Sequence, residues 1–451
     1  MGCGVSLDID RCNVVGLRRP KSRTCDVKVP AGVQKIGEYA FYNCNQLKSL
    51  KLPDSLTCVD LHAFTACKFT SLTLPENLDS IGPKAFQSCD RLTSITLPKR
   101  LTNIDAFVFH GCRGLETVIF PENLTSIGPC AFAFCSQLSK ITLPNSLTNI
   151  GARAFEACKS LKSLSIPNSV TRIGEHSFEG CSGLDVINLP ETLSKIEKFA
   201  FAHCSGLTSV KLPRFLVSIG SSGFACTKLT SVTLPDNLES LGAYAFFECD
   251  ELISVQLPNT LENIPNFCFS GCTKLTSIIL PEKLRVVGGH AFNDCRSLAS
   301  IKLCNPLFAI GDCAFQFCSE LAFVELPDTV RSVGSFAFHG CHAITSLSMP
   351  YMLTCVGYGV FARCKTLSKV FFRPRVSLVF LVWAIGKSCS RTNWQVTTLK
   401  YSYNILRLIA TLAQHIRPAS NLDPHHHDHV FKECFSLLGT MYGTDDRKVL
   451  R

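Results

Sequence analysis

The phrase LTSITLP at residues 92 to 98 returns as LTSVKLP at 207 to 213, LTSVTLP at 229 to 235 and LTSIIL at 275 to 280. Such a short period constrains the fold more than length does, because each copy is too small to bury its own apolar face. Aligned on proline, the copies fall at 30, 53, 75, 98, 121, 144, 167, 190, 213, 235, 258 and 281, then Cys304 in the proline's place, then 327 and 350. The step is 23 residues, twice 22. Eleven residues after each of these fifteen positions stands Phe, from Phe41 to Phe361. Three beyond Phe stands Cys, with Cys226 alone one residue early. The unit reads LxxIxLPxxLxxIGxxAFxxCxx.

Each column has a physical reason. The last two apolar residues of LxxIxL are two apart, the strand period, so they share one face while the residues beside them point outward. Proline removes a ladder donor and ends the strand. The Gly that follows the next Ile in eleven units suits a turn that glycine makes cheaply. Small residues before Phe imply tight packing on the return path. Phe and Cys, three apart, predict one face of a short helical turn. One strand and one return per unit cannot close a core alone, so the units must stack as an α/β repeat, with a parallel sheet on one side and helical turns on the other.

This pattern resembles the BspA-like leucine-rich repeats, a short-unit leucine-rich-repeat solenoid, over residues 26 to about 372. The resemblance implies a right-handed arc with strands on the concave face and a binding rather than a catalytic role. Fifteen strands at strand spacing would extend about 70 Å. Residues 1–25 are then an N-terminal cap or leader, 26–372 the solenoid, and 373–451 a C-terminal region. In that last region, 393–417 has helical spacing and predicts a capping helix, and 430–438 echoes the repeat as a degenerate copy.

Composition narrows the function. With 46% hydrophobic and 18% charged residues the chain can bury a large core, and no stretch has the length of a membrane span. The net charge of +10 sits at the ends: +3 in residues 1–24 and +8 in 365–451, leaving 25–364 at −1. No basic stripe runs along the repeats, which argues against nucleic acid. No nucleophile, acid–base or phosphate motif is present, and no serine has a glycine-elbow context, so the chain reads as no enzyme and needs no cofactor.

Twenty-six cysteines raise metal and disulfide readings. Neighbouring members of the column would stand about 5 Å apart, within disulfide range, so a disulfide ladder is conceivable. An odd-numbered column of a readily buried residue favours free thiols and a reducing compartment. Cys130, Cys268, Cys313 and Cys355 show no zinc spacing, and PHHHDH at 424–429 reads as a loop rather than a metal site.

The outward strand columns are where a partner would touch. They are mostly Ser and Thr, so the departures are the binding candidates: Lys51, Lys140, Lys211, Lys302, Phe323 and Glu325. The expected function is a non-catalytic scaffold that binds a protein through its concave face; the alternative is a cell-surface or secreted adhesin of the BspA-like type. The opening MGCGVS fits the myristoylation pattern at Gly2, with Cys3 placed for a second chain. Peripheral membrane association of a cytoplasmic protein is the corresponding expectation.

Overall fold

The computed structural model describes residues 6–10, 13–18, 25–304 and 306–371. Among the described residues the only regular elements are strands. The predicted first strand row is present: it runs from Cys25–Lys28 through strands such as Ser94–Thr96 and Ser254–Gln256 to Lys369–Phe371, with bridges at Ser71 and Lys140. Its pairings are parallel and in register from coil to coil, as in Ser254↔Ser277, Val255↔Ile278 and Gln256↔Ile279. The central residue of each strand faces inward and its neighbours are exposed. The Leu or Val three residues after each proline donates its N–H to the proline carbonyl, as Leu56 does to Pro53 at 3.1 Å, so proline both ends the strand and starts the corner.

A second parallel row, not anticipated from the sequence, follows each corner. It consists of two-residue strands such as Asn149–Ile150 and Arg172–Ile173, paired Ile150↔Ile173. The chain is therefore a β-solenoid with two strand rows per coil.

The return path contradicts the predicted helical turns. Phe and Cys do share the buried side, but the two residues flanking Phe at minus two and plus two have positive φ in every unit, for example Tyr39 (56°) and Asn43 (57°) around Phe41. Thirty positions behave this way, and twenty-five are not glycine. Left-handed geometry costs an L-residue about 1–2 kcal/mol. Pairing with the next coil offsets it: Tyr39, Phe41 and Asn43 donate to the carbonyls of Leu61, Ala63 and Thr65 at 3.1, 2.8 and 2.7 Å. Donors alternate: Tyr39, Phe41 and Asn43 are aimed at the neighbouring coil, while Ala40, Tyr42 and Cys44 close turns on Gly37, Tyr39 and Phe41 at 3.2, 2.9 and 3.2 Å, so the third side of the coil is a ladder of turns.

The Gly column also works differently from expectation. A Cβ at Gly242 would lie 2.2 Å from the backbone nitrogen of Ser221, and one at Gly357 would lie 2.1 Å from that of Ser335. Glycine is there because consecutive coils touch backbone to backbone, not because the turn needs left-handed φ.

Between these three sides lies one continuous core. Its spine is the Phe column, in which all fourteen successive ring pairs from Phe41 to Phe361 stack with centroids 5.2–5.9 Å apart and planes within 20°. Burying each ring stabilises by about 1.5–3 kcal/mol, with about 0.5–1.5 more from the ring pair.

Cysteine has a specific job beside that spine. Cys67 Sγ donates to the Phe41 carbonyl at 3.1 Å, Cys181 to Phe155 at 3.2 Å, and Cys341 to Phe315 at 3.1 Å, each thiol reaching back one coil. Thirteen such bonds recur. A small apolar side chain with one weak donor is suited to a dry site facing a carbonyl. In the short unit around Phe224 the place is taken by Thr227, whose hydroxyl donates to the Phe224 carbonyl at 2.9 Å. Cys226, counted with the column from the sequence, instead occupies the left-handed position with φ 57°.

Candidate functional site

The buried column cysteines from Cys67 to Cys341 are free thiols, and so are Cys58, Cys130, Cys226, Cys268, Cys304, Cys313 and Cys355. Burial pushes the column thiols up, that of Cys181 to about 12; a thiol so far from its thiolate is a poor nucleophile or metal ligand. Among the described residues, no group of three or more His, Cys, Asp or Glu is gathered for a metal ion. No described helix is long and apolar enough to cross a membrane. Gly2, Cys3, the expected helix at 393–417, the degenerate copy at 430–438 and the histidines of 424–429 lie outside the described residues.

The exposed side of the first strand row carries all six candidate residues, and it does not gather them equally. Lys51, Lys140, Lys211, Lys302, Phe323 and Glu325 are all exposed. Lys51 stands four strands from Lys140, and Lys140 three from Lys211, about 19 and 14 Å at strand spacing. Lys211 pairs with Glu191 at 3.4 Å, an ion pair too exposed to contribute much. Lys28 stands directly beside Lys51 in register.

Lys302, Phe323 and Glu325 do come together. Ser300, Ile301 and Lys302 pair with Phe323, Val324 and Glu325, so Lys302 and Glu325 are direct neighbours and Phe323 is beside them. The preceding strand adds Ile279, in register with Lys302, and this side chain is 84% exposed. Two strands after Phe323, Phe371 is exposed on the same face. Ile279, Lys302, Glu325 and Phe371 thus share one outward column, and Phe323, 62% exposed, stands in the next. Sequence reasoning missed Ile279 and Phe371 because each reads as an ordinary apolar strand residue; their place in the outward column was the available signal.

The serines and threonines around this patch do not bond one another across the outward columns. The hydroxyls that bind between coils here stand one residue earlier and reach backbone: Thr276 to Ile253 at 3.4 Å and Ser368 to Thr345 at 3.2 Å. The outward serines are left as a polar, low-relief surround to the apolar side chains.

The two strand rows, the 23-residue coil and the Phe–Cys spine define a leucine-rich-repeat solenoid. The sequence matches the family described as BspA type Leucine rich repeat region (6 copies) over residues 21–138, 102–225, 195–322 and 290–405, and the chain belongs to that family. Among solved structures it is similar to a leucine-rich repeat protein from Bacteroides ovatus ATCC 8483, at 26% identity and a TM-score of 0.71, covering 87% of this chain and 98% of that one. It is also matched, at 20% identity and a TM-score of 0.45, with a leucine rich cell surface protein from Faecalibacterium prausnitzii A2-165, covering 84% and 95% of the two chains. No curated protein matches the sequence.

Proposed function

We propose that this chain is a non-catalytic scaffold that binds another protein through the exposed side of its first strand row, centred on Ile279, Lys302, Phe323 and Glu325. The observation that carries this reading is the exposure of Ile279 at 84% and Phe323 at 62% within two strands of each other, with Lys302 and Glu325 in register beside them. Large apolar side chains held in water on a rigid sheet, with a cation and a carboxylate beside them, are the makings of an interface centre. The solenoid is taken as residues 26–372, and Lys51, Lys140 and Lys211 as peripheral contacts.

Free cysteines along the core support a reducing compartment, hence the cytoplasm. Lipidation at Gly2 and Cys3 would add peripheral membrane association. The family match favours one rival, a cell-surface or secreted adhesin. The test is affinity capture from native extract with the intact chain and with an Ile279→Ser/Phe323→Ser double variant, followed by crosslinking. The scaffold reading expects a protein crosslinked to this patch and lost with the variant; an unchanged set of captured proteins would sink it.

A further inference from the structure

The second strand row is not continuous. It runs in four blocks, within residues 13–81, 103–173, 195–241 and 263–356, and three seams separate them. Inside a block the residue after the inner apolar one donates its N–H to the coil before at 2.7–2.9 Å, as Gly128 does to Ile104 and Gly220 to Ile196. At the seams this residue is Asp105, Glu197 or Pro265 instead of glycine. There, among the described residues, no backbone hydrogen bond joins 102–105 to 79–82, 194–197 to 171–174 or 262–265 to 239–242.

The cause is a single atom. A Cβ on the column glycines from Gly82 to Gly357 would lie 2.1–3.0 Å from the coil before, whereas carbon contacts are comfortable only from about 3.5 Å. A side chain here parts the coils by about 0.5–1.4 Å, which stretches a bond of about 2.8 Å past the limit of about 3.2 Å for N–H···O. Proline also lacks the N–H. Asp60, the fourth departure from glycine, keeps its bond to Ile36 at 2.9 Å because Lys35 of the coil before grips its carboxylate at 2.6 Å. Glu197 is held by Lys195 of its own coil at 3.0 Å, and Asp105 has no ion pair among the described residues.

The other two sides stay closed across every seam. The first row pairs Ser71↔Ser94, Ser163↔Val186 and Ser231↔Ser254. On the turn side Phe86, Phe178 and Phe246 donate to Val108, Ala200 and Cys268 at 3.0, 2.9 and 2.9 Å. Thr192 and Thr260 still reach the corner before them, at Val170 and Leu238, so the opening begins beyond the corner. Two closed sides and one open side make a hinge.

We propose that Asp105, Glu197 and Pro265 are joints at which the solenoid bends, each opening the second row while the first row and the turn ladder hold. The patch of Ile279, Lys302, Phe323 and Glu325 lies wholly on the last block, and Lys51, Lys140 and Lys211 lie one on each of the other three. The exposed face is thus rigid within a block and changes its tilt between blocks. The joints stand whether or not that face binds protein.

Hydrogen exchange on the full chain, followed by mass spectrometry, tests the seams. Protection at 102–105, 194–197 and 262–264, corrected for intrinsic rates, is expected to be at least tenfold below that at 125–128, 217–220 and 285–288. Glu197→Gly is expected to close its seam and raise protection at 194–197 at least tenfold, whereas Glu197→Ala, which keeps the Cβ, is expected to leave it open. Asp105→Gly and Asp105→Ala repeat the comparison at a second seam should Glu197→Gly fold poorly. The triple variant Asp105→Gly/Glu197→Gly/Pro265→Gly is expected to narrow the range of shapes that fits its small-angle scattering. Equal protection at seams and blocks in the wild type, or alanine closing a seam as well as glycine, overturns the seams and their cause. Scattering unchanged in a variant whose seams have closed overturns the joints.

Discussion

The inside and the outside of the same strand teach different lessons. At Ser277–Ile279 the central Ile278 is buried and obeys its column, while Ile279 beside it stands almost wholly in water and breaks its own. The inner columns are held constant because each side chain is both filler and floor for the next: a Phe ring stacks on two others, and a thiol meets the carbonyl of the coil before. The outer columns rest on a backbone ladder that is indifferent to side chain, so they are free to vary. Variation is therefore informative outside and costly inside.

Breaking the inner side gives the largest expected effect. Phe201→Ala removes a ring stacked on both Phe178 and Phe224 and is expected to cost about 3–5 kcal/mol in denaturant unfolding. Gly242→Ala pushes a Cβ into the Ser221 backbone and is expected to cost about 1–3 kcal/mol by the same measurement. Cys181→Ala leaves the Phe155 carbonyl without its thiol donor, with an expected loss of about 1–3 kcal/mol. Outside, Phe323→Ser should leave the unfolding midpoint within about 0.5 kcal/mol of wild type, and change only what the chain captures.

The smallest effect is one of pH. His62, His110 and His339 are held below the usual histidine range, chiefly by burial, with Lys84 adding to it at His62, and Arg363 and His342 at His339. Because the folded values lie below the unfolded one, this stability is fully present above about pH 6.5 and is lost as pH falls through the folded values. Unfolding across that window should show a shallower acid slope in His110→Gln than in wild type.

Much of the inside was legible in the sequence. Period-two apolar residues, proline and the Phe column sufficed for the first strand row, its register and the buried cysteines. The turns were not legible, because left-handed positions are occupied by Lys84, Phe107 and Arg153, residues that advertise no such geometry. What selects it is the hydrogen bond to the next coil, a long-range term absent from local propensity. The second strand row was hidden for a similar reason: two residues per coil carry no period of their own. On the outside, Phe323 and Glu325 stood out as departures.

The central claim is that the cysteine column is a reduced structural ladder and that binding belongs to the surfaces. Peptide mapping of the native protein, denatured under non-reducing conditions with an alkylating agent, tests it directly. The account predicts that every cysteine of the column from Cys67 to Cys341 is recovered alkylated. Recovery of column members as disulfide-linked pairs, such as Cys158 with Cys181, would contradict both the ladder and the reducing compartment, and would leave the adhesin as the better reading.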